Sequence, residues 1–399
     1  MRAPEICWKL APGLPGETVL PDPQSVLDRA VAEGDLPFVV ALVGGRDGLV
    51  WQGAAGDAAP GLPAGPDTVF RLFSMTKAIG AAAAMILVDR RRLKLDAPVG
   101  DVLPAFDALP VLDGWDGDSP RLRPQRTRAT LRQLLSHTSG AAYDVWNGEI
   151  FRFNRLDIRP SPRTGLKAGL DLPLAFDPGT GWAYGTGLDW AGLLVEAVDG
   201  RRIDAFCRAE IFGPLGMDET VFEVPPDLLP RLAAVRRRSA EGFEIVEAPP
   251  VSRPEFWGMG HALTGTGRDY LRFLRMIVNG GTLDGQRVLD QAVVTELLAN
   301  QIGERRLGPV PSFRPSASAD VTRFGGVPTT HSLLGVRNEA AIPGRRSAGS
   351  QGWAGLLNTH WWLDPVRGRA GMMLTQCRPF WDPRIMGALE SVERAAYDL

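Results

Sequence analysis

The chain has 399 residues, 44% of them apolar, with 46 glycines, 33 prolines and a formal net charge of −2. The length suggests two or three folding units around an ample core, with no collagen-like or low-complexity period. The near-neutral balance gives no electrostatic reason for nucleic acid or an anionic membrane as partner. No run of 18 uninterrupted apolar residues marks a membrane span.

The stretch from Met1 to Gly16 carries charges and prolines where a signal peptide needs an apolar segment, so a cytoplasmic location is expected. Residues 26–33 have helical apolar spacing. Two β-branched runs near 38–43 and 48–52 flank Gly44-Gly45-Arg46-Asp47-Gly48 and predict a β-hairpin. A helix follows at about 74–90. It is rich in alanine and apolar on nearly every side, which places it in the middle of the protein. Residues 107–128 are polar, Pro-rich and Arg-rich and read as an exposed loop. Thr130–Leu135 is helical, and 140–180 is irregular. A helix near 186–198 ends at Gly200, and another spans about 202–212. Residues 223–257 read as surface strands and loops. A helix at 267–279 precedes the turn Asn279-Gly280-Gly281, and 303–330 is a long loop.

Strands return at the end of the chain. Gly355–Leu363 and Gly371–Cys377 are two runs separated by Asp364-Pro365-Val366-Arg367-Gly368. The last element, about 383–397, is an amphipathic helix with Ile385, Met386, Leu389 and Val392 on one face. This order predicts an α/β fold of the α+β type: one antiparallel sheet built from both chain ends, flanked by helices, with an inserted, mostly helical region. Residues 1–72 and 258–399 form the expected sheet domain and 73–257 the helical one, with the active site at their interface.

The chemistry enters through the basic residues. There are 44, yet only Lys9, Lys77, Lys94 and Lys167 are lysine. Arginine stays charged at any working pH, whereas a buried lysine can give up its proton. Of the four, only Lys77 has a serine three residues before it, in Ser74-Met75-Thr76-Lys77. Positions i and i+3 share a helical face, so the amine reaches the hydroxyl. In an apolar setting a neutral amine accepts the serine proton, and the helix N-terminus favours a developing oxyanion. A serine N-cap followed by an ordinary helical lysine would give the same four letters. The lysine scarcity and the all-apolar helix favour the chemical reading.

Other residue types were weighed against this pair. Cys7, Cys207 and Cys377 are odd in number and widely spaced, which suits buried free thiols rather than disulfides or a zinc site. His137, His261, His331 and His360 show no metal spacing, so neither metal nor cofactor is expected. Ala348-Gly349-Ser350-Gln351-Gly352 imitates a nucleophile elbow, but a strand-like segment follows Ser350 where that motif needs a helix. Trp182, Trp257 and Trp353 are candidates to wall an apolar acyl pocket, and His360 is a candidate to line it. The run Arg236-Arg237-Arg238 reads as a solvated face.

FRLFSMTKAIGAAAAMILVDRRRLKLDAPVGDVLP, LRQLLSHTSG, FDPGTGWAYGTGLDWAGLLVEAVDG and GMGHALTGTGRDYLRFLRMIVNGGTLDGQRVLD occur in this order. As a set they resemble the serine β-lactamase and penicillin-binding protein superfamily over roughly residues 25–395. Within it the chain is most similar to the family VIII carboxylesterases and their acyltransferase relatives. That resemblance implies Ser74 as nucleophile with Lys77 and Tyr184 as its proton-transfer partners. Tyr184 comes from Tyr184-Gly185-Thr186, where Thr186 replaces the asparagine of penicillin-recognising members. It implies an oxyanion hole from the N–H groups of Ser74 and Leu356, with Trp353-Ala354-Gly355 in the place of Lys-Thr-Gly. Gly355 would let substrate approach the strand backbone.

The sequence therefore predicts a serine hydrolase that cleaves carboxylic esters through an acyl-Ser74 intermediate, with acyl transfer as an additional capacity. The partner expected is a small-molecule ester or acyl substrate. A β-lactamase or D-Ala-D-Ala peptidase is the alternative, weakened because no lysine follows Lys167. A non-catalytic binding module on the same fold is the third reading. The spacing leaves open which of Lys77 and Tyr184 is the base, and it leaves the oligomeric state open.

Overall fold

The computed structural model describes residues 22–156, 159–248, 254–322 and 326–399. The expectations for the first residues, including those for Cys7 and Lys9, lie outside the described residues. Across the main sheet the strands run 329–331, 336–338, 351–355, 359–364, 369–374, 38–45, 49–59 and 62–63. Every pairing among them is antiparallel. The first and last thirds of the chain thus build one sheet, as the strand-rich ends predict.

Phe38–Gly45 lies inside this sheet between Arg369–Leu374 and Leu49–Ala59, and burial on both faces explains why it is apolar throughout. Alternate side chains serve two cores. Val39, Ala41 and Val43 face a layer made by the helices Pro23–Ala32 and Pro383–Tyr397. Phe38, Val40 and Leu42 face the larger core, which holds the helices Thr76–Asp89 and Gly267–Val278. Neighbouring Trp361 and Trp362 divide in the same way between these two cores.

Four expectations change. The region 140–180, read as irregular, contains the helix Gly148–Leu156. The region 107–128 contains a hairpin, Val111–Asp116 with Ser119–Arg123, turned at Gly117, whose φ is +60°. The run Gly355–Leu363 is two strands, Gln351–Gly355 and Thr359–Asp364. Asn358, at φ +60°, makes the turn between them, and its side-chain amide donates to the carbonyls of Cys377 and Pro379. The apolar Leu356-Leu357 pair hides that turn from a reading of polarity. The helix expected over 202–212 is α-helical only to Cys207 and continues as a π-turn over Arg208–Phe212.

A separate two-stranded ladder leads into the turn that carries Ser74. Val69–Arg71 pairs with Thr264–Thr266, and Leu72 N–H donates to the Leu263 carbonyl. Gln376 grips the backbone of Arg71 on both sides, accepting from its N–H and donating to its carbonyl, each at 3.1 Å. A Cβ on Gly355 would stand 2.3 Å from the carbonyl oxygen of Leu72. Its close approach is to the chain just before Ser74. Gly355→Ala must push that turn aside, at about 1–3 kcal/mol. Thermal melting should show a Tm lowered by roughly a few degrees; an unchanged Tm would contradict the packing described.

Candidate active site

Ser74 sits in a single 3-10 turn, Phe73–Met75, immediately before the helix Thr76–Asp89. Phe73 has φ +46°, a costly conformation for a residue with a side chain. Tyr270 donates to the Met75 carbonyl at 2.9 Å, and Thr76 accepts from Leu263 N–H at 3.1 Å. These bonds hold the turn at its helix.

Lys77 is 4% exposed. Its Nζ lies 3.3 Å from Ser74 Oγ, 3.1 Å from Tyr143 Oη and 2.8 Å from the Gly260 carbonyl. It also stands over the Tyr184 ring, 4.7 Å from its centre. Burial lowers its pKa to about 7, opposed by the negative charge of Asp189. A large share of Lys77 is thus a neutral amine near neutral pH.

Tyr184 is buried at the start of the segment leading into the helix Gly187–Asp199. Burial raises its pKa, and hydrogen bonds with Ser74 and Trp353 pull the other way, so it stays a phenol. Trp353 Nε1 donates to its oxygen at 2.7 Å. The loop is drawn in tightly: a Cβ on Gly185 would lie 1.9 Å from the Ala141 carbonyl oxygen. His137 holds it from beneath, accepting from Ala183 N–H through its carbonyl and from Gly185 N–H through Nδ1. Burial pushes the His137 pKa well below its usual value, which suits that acceptor role.

Tyr184, more than a hundred residues further along the sequence, thus meets Ser74 and Lys77 at one point. Ser74, Thr186 and Leu356 line a cavity of about 540 Å³, together with Phe73, Trp146 and Leu172 among others. A second cavity of about 420 Å³ adjoins it and shares Phe73, Arg163 and His261.

The other proposed pocket residues lie elsewhere. Trp257 walls the second cavity and packs against Phe222. Trp182 packs on the rings of His137 and His331, outside both cavities. Trp353 and Gly355 line neither cavity: one orients Tyr184, and the other admits Leu72. His360 is 1% exposed, stacked on Phe380 and within 3.3 Å of Asn358 Oδ1, so it is a core residue. Ser350 is buried in a turn that leads into a strand, with no helix after it.

Sequence reasoning missed Tyr143, Asp189 and Trp146. Tyr143 N–H donates to the Tyr184 carbonyl at 3.0 Å, tying the two tyrosines together. Asp189 is fully buried in the first turn of the helix Gly187–Asp199, whose other acidic residues come only at its end. A lone carboxylate in Gly187-Leu188-Asp189-Trp190-Ala191 was a readable signal, as was the presence of only four tyrosines in the chain.

The chain is similar to known proteins over most of its length. The family model described as Beta-lactamase matches residues 24–391. A monacolin J acid methylbutanoyltransferase of Aspergillus terreus is 31% identical over 347 residues, covering 83% of this chain and 82% of that protein. The lovastatin esterase of Penicillium rubens is 30% identical over 344 residues, 82% of this chain and 84% of that one. A mutant form of simvastatin synthase from Aspergillus terreus shares the fold with a TM-score of 0.81 at 24% identity, over 96% of this chain and 99% of that one. With residues 24–391 matched and relatives of this kind, the chain belongs to the beta-lactamase family, as an enzyme of its esterase and acyltransferase kind.

Proposed function

We propose that Ser74 takes the acyl group of a small carboxylic ester and passes it to water or to a second alcohol. The observation that carries this reading is the Lys77 amine, buried and 3.3 Å from Ser74 Oγ at the edge of a cavity. Two relatives support it by name, one an esterase and the other an acyltransferase.

In the first half-reaction Ser74 Oγ bonds to the ester carbonyl carbon. Its proton passes to the neutral Lys77, directly or through Tyr184, whose ring lies beneath the amine. The N–H groups of Ser74 and Leu356 are the proposed oxyanion donors. As the carbon–oxygen bond breaks, the same proton goes to the departing alkoxide, leaving acyl-Ser74 and an alcohol. In the second half-reaction water or another alcohol gives its proton to Lys77 and attacks the acyl carbon. The proton then returns to Ser74 as the new acid or ester leaves. Thr186, Phe73, Trp146 and Leu172 are the cavity residues proposed to meet the substrate.

Ser74→Ala should lower hydrolysis of p-nitrophenyl butyrate by roughly a thousandfold or more. It should also abolish covalent labelling by an alkyl phosphonate, read by intact-protein mass spectrometry. Full activity in the variant contradicts the nucleophile. Fast nitrocefin turnover without ester turnover would favour a β-lactamase, and neither turnover nor labelling would favour a binding module.

The base must be neutral to work. The Lys77 pKa near 7 predicts that kcat/KM falls about tenfold per pH unit below that value and levels off above it. A pH–rate profile flat from pH 5 to 8 would contradict a lysine base.

A further inference from the structure

Lys77 faces Ser74, Tyr143, Tyr184, His137, Asp189 and the carbonyl of Gly260. A neutral amine has two N–H bonds and one lone pair. Its three close polar neighbours are Gly260 O, Tyr143 Oη and Ser74 Oγ. A carbonyl can only accept, so it takes one N–H. If Tyr143 accepts the other, the lone pair is left aimed at Ser74. If Tyr143 instead points its own proton at Lys77, it occupies the lone pair and the base is lost.

The direction of the Tyr143 proton is therefore a switch, and Asp189 sets it. The Asp189 carboxylate lies beside the Tyr143 hydroxyl, both bordering Gly260; its Oδ2 has no hydrogen-bond partner among the described residues, and a carboxylate can only accept. Asp189 is fully buried and held in place: Gly260 N–H donates to its Oδ1 at 2.8 Å, with His261 Nδ1 3.5 Å from the same oxygen. Gly260 thus presents its N–H to Asp189 and its carbonyl to Lys77. A Cβ on Gly260 would stand 2.7 Å from Asp189 Oδ2 and 2.9 Å from Tyr143 Oη. Only a residue without a side chain lets these groups close up.

We propose that Tyr143 and Asp189 are positioning residues that aim the Lys77 lone pair at Ser74. Asp189 takes the Tyr143 proton, Tyr143 then accepts from Lys77, and Gly260 accepts the second N–H. This deepens the acyl-Ser74 reading and rests on Lys77 being its base.

The primary test is Asp189→Asn, a change that leaves the cavity walls intact. An amide in that place keeps its oxygen on Gly260 N–H and turns its NH₂ toward Tyr143, which sends the Tyr143 proton to Lys77. The plateau kcat for p-nitrophenyl butyrate should fall tenfold or more. Loss of the negative charge should move the acid limb of kcat/KM to lower pH, which a merely structural lesion would not do. Tyr143→Phe removes both the acceptor and the competing proton. In that background Asp189→Asn should add little further loss, giving strong coupling between the sites. An Asp189→Asn protein with wild-type kcat and an unmoved acid limb overturns the proposal, as do additive losses in the double variant. If Asp189→Asn does not fold, Tyr143→Phe decides alone: a plateau kcat within twofold of wild type overturns it. Activity retained in Ser74→Ala would sink the nucleophile reading instead, so the two failures are distinguishable.

Discussion

Burying one amine is the constraint on which the rest of the structure depends. Moving Lys77 from water to its site disfavours the ammonium by on the order of 5 kcal/mol, given a pKa near 7. An arginine there would stay charged and would have no lone pair to offer. The surrounding helices are shaped to hold that amine dry. Thr76–Asp89 is buried on almost every side and packs against Gly187–Asp199, the helix that carries Asp189. Met259 is wedged between them: a Cβ on Gly80 would come within 2.9 Å of it, and one on Gly192 within 2.7 Å. The next residue is Gly260, whose carbonyl meets Lys77. Glycines in two helices thus set the depth at which a loop delivers a hydrogen-bond acceptor to the base.

The hydroxyl opposite is fixed from another direction. The 3-10 turn bearing Ser74 is pinned by backbone pairing with 264–266, by Gln376 on Arg71, and by Thr359, which donates to the Leu72 carbonyl at 3.3 Å. Thr359 opens one of the last strands and Gln376 lies between two others, while Ser74 comes early in the chain. The nucleophile is therefore placed by the sheet and its base by the helices. Ser74 and Lys77 share one turn of chain, so their spacing is local, while the groups that hold each of them come from distant parts of the fold.

Much of this was legible in the sequence because it rests on local signals. The apolar run 38–43, the alanine-rich helix and the closing amphipathic helix each obey a simple period. Lys77 stood out because the chain spends arginine almost everywhere else. The turn at Asn358 and the hairpin at 111–123 were hidden, since one is masked by leucines and the other by prolines and arginines. Trp182 and Trp353 line neither cavity for a different reason. Residue type says that an aromatic ring will be covered, not whether protein or substrate covers it. Trp182 lies on histidine rings, and Trp353 spends its N–H on Tyr184. Tyr143 and Asp189 have no spacing that links them to Lys77, because three separate segments bring them there.

The central claim, that Lys77 is a neutral amine at working pH, can be read directly. The chain has only four lysines, so a sample labelled with ¹³C at lysine Cε gives a spectrum of four resonances to follow by NMR from pH 5 to 11. The account predicts that one titrates near pH 7 and that this resonance disappears in Lys77→Arg. Four lysines all titrating near 10 would contradict it.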